Sequence, residues 1–153
     1  MATSTTPDGH VHDADRHGSG LEPQTDLTPR NRLSAVSEPT PVDRWQSALE
    51  AAGELTPALV EQIATVHGDR GVRAIEAVAE RRVKEYRDFT VVVGHEDEYV
   101  VEGGTCTCKD TTFNLDPEDP TALCWHVIAT KIARRIGTVD HHDMWYSDVR
   151  EFL

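Results

Sequence analysis

The chain is short of lysine, poor in cysteine and aromatic residues, and has no long apolar run. Each shortage excludes something. No stretch approaches the roughly 20 apolar residues needed to span a bilayer, and even Val91-Val92-Val93 is brief. The first residues, Met1 to Pro7, lack the charged and apolar regions of a secretory signal, so the expectation is a soluble protein of the cytoplasm. Aromatic residues make up only 6% of the 153 positions. Glycine-rich phosphate loops and recognisable nucleophile motifs are missing as well, which argues against an enzyme and leaves no small-molecule substrate evident.

Only three of the 15 basic residues are lysine, against 27 acids and a net charge of −12. A carboxylate excess with few lysines is the composition of a halophilic protein. An ordinary acidic domain kept soluble by self-repulsion is the plainer alternative.

Three cysteines cannot all pair within one chain, and a cytoplasmic protein seldom needs disulfides. Cys106, Cys108 and Cys124 fall within 19 positions of one another, beside His126. Two close pairs of soft ligands separated by a turn-rich loop suit a tetrahedral Zn2+ ion. Three thiolates and one imidazole close the shell and leave no position for water or substrate, which marks a structural rather than a catalytic zinc. Cys106 and Cys108 can both face the ion from a bent strand. Residues two apart on a helix point about 200° apart, so Cys124 must precede the final helix, with His126 in its first turn and residues 119–123 forming a turn.

Around this cluster the expected fold is α+β. Residues 1–39 are rich in Thr, Ser, Pro, Gly, Asp and His, and read as a disordered tail whose His10, His12 and His17 are incidental. Residues 40–85 read as a helical segment. Thr40-Pro41-Val42-Asp43 is a capping box opening a helix that carries Trp45, Ala48, Leu49 and Ala52. A second helix starts at Thr56-Pro57 with Leu59, Val60, Ile63 and Val66. A third, from Gly71 to Glu85, carries Val72, Ile75, Val78 and Ala79 on one stripe.

The period then changes to two. Phe89, Val91 and Val93 mark one face of a strand, Gly94 to Glu98 the turn, and Tyr99 to Val101 its return. An irregular stretch follows, then a final helix whose apolar face is Trp125, Ile128, Ala129, Ile132 and Ile136, stopped by Gly137. Residues 86–137 thus form a zinc-stabilised hairpin plus helix, and residues 138–153 an aromatic tail. His141-His142-Asp143 reads as a loop rather than a second metal site.

The ligand pattern, C-T-C then C-W-H, resembles the SWIM-type zinc finger, whose signature is C-x-C, a variable spacer and C-x-H. Cys124, His126 and Ala129 also fit the extended form C-x-H-x-x-A of the SWIM proteins in recombination-accessory complexes. The resemblance covers about residues 86–136. It implies a non-catalytic adaptor that contacts protein partners in a DNA-repair or recombination assembly, with direct DNA binding, as in transcriptional control, as the alternative. Lys131, Arg134 and Arg135 on the final helix are the candidate phosphate contacts, with Arg81, Arg82, Lys84 and Arg87 as a second basic group. Against DNA stand 13 acids and 6 bases from residue 86 onward.

Overall fold

The computed structural model describes residues 37–152, so the tail expected at 1–39, with its three histidines, lies almost wholly outside the described residues. Local signals at the start of the described chain are strong. Thr40 caps α1 (Pro41–Ala52): its hydroxyl accepts the Asp43 N–H at 3.1 Å, and Asp43 answers by accepting from the Thr40 N–H at 2.9 Å. Helix α2 (Pro57–His67) is opened by Thr56, whose hydroxyl accepts from the Leu59 amide. Gly68, at φ 59°, ends α2 and starts α3 (Asp69–Ala79) directly. A Cβ on Gly71 would lie 2.7 Å from the Ile63 carbonyl oxygen, so α2 and α3 pack backbone to backbone only because that position is glycine.

Helix α3 is shorter than the apolar stripe suggested. It stops at Ala79, and the next residues turn into a strand, β1 (Val83–Glu85). The stop is a Schellman motif: the Arg82 amide donates to the Ala77 carbonyl, the Arg81 amide donates to Val78, and Arg81 takes the left-handed φ of 54°. An arginine there is not a helix-stop signal, which is why the sequence did not announce it.

Strands β1, β2 (Thr90–Val93), β3 (Glu98–Glu102), β4 (Thr105–Cys106) and β5 (Asp140–His141) form one sheet in the order β4-β3-β2-β1-β5. All pairs are antiparallel except β1 with β5. The register pairs Val83 with Val92 and Val92 with Tyr99, so these share a face with Thr90, Val101 and Cys106. That face meets the helices. The alternation read from the sequence had instead grouped Phe89, Val91 and Val93 as the apolar face. Both faces are covered, so a run of three valines carries no information about which side is which. Val91 is fully buried on the second face.

Helix α5 (Trp125–Ile136) is the hub. It packs against α3 and α1 on one side and against the sheet on the other. Trp45, Leu49, Ile63, Val83, Val92, Ile128 and Ile132 are fully buried in one shared core. Each such side chain contributes about 1.5–3 kcal/mol on burial. The helical segment and the hairpin–helix segment therefore complete a single core, within a unit that runs from Glu38 to Leu153.

The aromatic C-terminal stretch folds back. A short helix, α6 (Tyr146–Arg150), begins where the Asp88 carboxylate accepts the amides of Tyr146 and Ser147. The Tyr146 hydroxyl donates to Glu98 at 2.8 Å, placing the ring on the second face of the sheet beside Tyr86. Tyr86 in turn stacks on His142. No helix among the described residues is long and apolar enough to cross a membrane.

Candidate metal centre

The four sulfur and nitrogen ligands arrive on three separate elements. Cys106 ends β4, beside the two-glycine turn at 103–104. Cys108 lies two residues on, already past the strand, and caps α4 (Lys109–Phe113), a short helix within the stretch expected to be irregular. Its sulfur accepts the Thr111 amide at 3.4 Å. Cys124 is the N-cap of α5, with His126 in its first turn and no helix across residues 119–123. The chain thus meets the geometric requirement that two residues in C-x-H spacing aim at one point.

The ligand atoms of Cys106, Cys108, Cys124 and His126 all lie within 4.8 Å of one another. A tetrahedral ion with bonds of about 2.0–2.3 Å holds its ligand atoms about 3.3–3.8 Å apart, so the cluster closes around an ion with small movements. All four residues are buried. Among the described residues this is the only such grouping of three or more Cys, His, Asp or Glu, and His141, His142 and Asp143 do not form one.

Two observations show that the residues fit a metal. First, both ring nitrogens of His126 are buried and lack any hydrogen-bond partner among the described residues. An unsatisfied buried polar group costs about 1–3 kcal/mol, which metal coordination removes at one nitrogen. The ring is clamped between Tyr99 and Trp125, with centroid distances of 4.1 and 3.8 Å, so its orientation is set by packing. Second, the thiols are crowded enough to share protons. A hydrogen bond from Cys106 pushes Cys124 well below the usual thiol range against the opposing effect of burial, while the same interaction pushes Cys106 up. A metal ion takes the place of that shared proton.

Around the ligands sits a supporting pair that sequence reasoning missed. Arg70 on α3 grips Asp110 on α4 with two bonds, Nε to Oδ2 at 2.7 Å and Nη2 to Oδ1 at 2.8 Å. Asp110 also accepts from Asn114. The Arg70 guanidinium is held charged first by Asp110 and then by the nearby Cys124 and Cys108 sulfurs. It would offset the net negative charge of three thiolates around a bound divalent ion, and it ties the ligand loop to the helical layer. The two residues are 40 positions apart, and no local pattern links them.

Lys131, Arg134 and Arg135 do not touch this centre. They line a separate cleft of about 500 Å³ between α5 and the sheet. The second basic group is not brought there. Arg82 pairs with Glu80, and Arg87 with Asp143 at 2.7 Å.

The fold and the cluster define a mixed α+β module with a buried Cys3His group able to bind a metal ion. An uncharacterized protein of Archaeoglobus fulgidus is 46% identical over 86 residues, which make up 56% of this chain and 73% of that protein. The chain belongs to the same family as that archaeal protein. No protein-family model and no solved structure matches it.

Proposed function

We propose that the chain is a non-catalytic, zinc-stabilised adaptor of SWIM type that recognises a protein partner. The observation that carries the zinc reading is the ligand set: three sulfurs and one imidazole nitrogen, all buried, converging within 4.8 Å. Thiolate and imidazole favour Zn2+ over hard cations, and four protein ligands leave the ion no open position for chemistry. The zinc here acts by holding β4, α4 and α5 together.

The adaptor reading draws on what the surface offers. Phe113 is 78% exposed, and Met144 and Trp145 are about half exposed, which are apolar groups available to another chain. The assignment to a DNA-repair or recombination assembly rests on the C-x-C…C-x-H-x-x-A resemblance. Direct DNA binding is the second reading, favoured by the gathering of Lys131, Arg134 and Arg135 at one cleft. Metal analysis of the purified chain tests the first part: one zinc per chain is expected, and a metal-free, fully folded protein would overturn it. Pull-down at native salt with and without nuclease separates the two partner classes. Partners retained after nuclease support protein contacts, and partners lost support DNA.

A further inference from the structure

The cleft beside α5 has features that neither the metal centre nor an apolar contact surface explains. Lys131, Arg134 and Arg135 occupy positions i, i+3 and i+4 of one helix, so three like charges share one face at a mutual cost. Two of them lie in the last turn, where the helix dipole favours cations, but the dipole does not account for their being drawn into a concave site.

Their neutralisation is incomplete. Three acidic residues border the cleft, yet only one faces the cations. Glu85 lies on the helix-facing side of β1, 3.5 Å from Arg134. Glu102 alternates with Val101 on β3, so its carboxylate points to the opposite side of the sheet. The Asp88 oxygens are already engaged by the Tyr146 and Ser147 amides. Arg134 also donates to the Thr90 hydroxyl, which fixes its position without neutralising it. The Arg135 Nη1 donates to the Lys131 carbonyl, while its Nε–H is buried with no acceptor among the described residues. Burial, followed by the nearness of Arg135, pushes the Lys131 amine below its usual range, against a smaller opposing pull from Asp43 at the start of α1.

The rest of the cleft is shaped for a small ligand. Its volume of about 500 Å³ is within the ~300–1,000 Å³ range of small-molecule sites. Gly103 and Gly104, at φ 56° and 82°, form the β3–β4 turn at its rim and place no side chain over the mouth. Phe89 and Tyr86 also line the cleft, at the end of the sheet where both rings pack against Tyr146 of the second face.

We propose that this cleft binds the phosphate monoester of a nucleotide, with Lys131, Arg134 and Arg135 holding the phosphoryl oxygens and Phe89 beside the base. The ligand chemistry is a terminal phosphate on an aromatic base, which a free mononucleotide and the 5′ end of a nucleic-acid strand both present. The proposal does not depend on the protein-contact reading and makes no use of the zinc.

The test is calorimetric titration of the full, zinc-loaded chain at low salt with AMP, adenosine, and a short oligothymidylate carrying either a 5′ phosphate or a 5′ hydroxyl. Saturable binding of AMP with none of adenosine supports a free nucleotide. Binding of only the phosphorylated oligonucleotide supports a strand end. Lys131→Gln and Arg135→Gln are each expected to weaken binding about tenfold or more, while Arg81→Gln, outside the cleft, leaves it unchanged. Lys131 makes no side-chain hydrogen bond among the described residues, so Lys131→Gln stands as the test if Arg135→Gln melts early. Absence of binding by both phosphorylated probes, equal binding of the 5′-hydroxyl strand, or wild-type affinity in a folded Lys131→Gln protein would each overturn the proposal.

Discussion

Removing the zinc from a Cys3His centre in a shared core should release part of the molecule and leave the rest folded. In a free-standing finger the metal supplies the folding energy outright, on the order of 10–16 kcal/mol near neutral pH, and its loss unfolds the whole unit. Here α5 has a second anchor, because Ile128, Ile132 and Ala133 are fully buried in the core shared with α1 and α3. Residues 105–123 have a weaker one: their buried side chains are the ligands Cys106 and Cys108, with half-buried Leu115 and Leu123 and the Arg70–Asp110 pair holding the rest. After zinc is withdrawn, the coordinating His126 nitrogen is left without a partner, at about 1–3 kcal/mol, so the metal-free fold is weakened by at least that much. At roughly 4 °C per kcal/mol for a domain of this size, the melting temperature should fall by about 4–12 °C or more. Hydrogen exchange read by mass spectrometry, with and without a chelator, is the assay. Protection should be lost across 105–123 and kept in the second half of α5 and in α1. Unchanged protection of 105–123 would refute the metal's role, and complete loss across α5 would refute the shared-core argument.

Three further outcomes follow from particular residues. Gly71→Ala would push a Cβ to 2.7 Å from the Ile63 carbonyl and should cost about 1–3 kcal/mol by denaturant melt; a neutral result would mean that α2 and α3 can separate freely. Arg81→Gly relieves left-handed strain of about 1–2 kcal/mol, partly offset by about 0.4–1 kcal/mol of extra unfolded-state freedom, so a gain of up to about 1 kcal/mol is expected, and a loss would contradict the Schellman assignment. His67 accepts the indole N–H of the fully buried Trp45 at 3.0 Å, and burial, then Arg70, depresses its pKa. Between that lowered value and 6.5 the unfolded chain holds more protons than the folded one, so the contribution is complete above 6.5 and declines as pH falls through the window. A His67→Gln variant should show a shallower loss of melting temperature over that range at constant zinc, and an identical slope would exclude His67 as the source.

Much of the architecture was legible because its signals are local. Thr40 with Asp43, Thr56 before Pro57, and Gly53, Gly68 and Gly137 act within one turn of chain, so helix starts and several stops could be read directly. The start of α5 was legible for a chemical reason, since C-x-H cannot chelate from inside a helix. The stop of α3 was not, because Arg81 adopts a conformation usually left to glycine. Helices α4 and α6 and strands β4 and β5 span two to five residues, too few to show a period.

The sequence alone determined that four soft ligands would meet at one point, because their spacing and chemistry admit few other uses. Tertiary structure decided everything that depends on distant partners: the Arg70–Asp110 clamp across 40 residues, the burial of Val92 rather than Val91 beneath the helices, and the separation of Lys131, Arg134 and Arg135 from the second basic group. Periodicity shows that a strand or helix has faces. Only packing, which minimises exposed apolar surface over the whole chain at once, settles what each face meets.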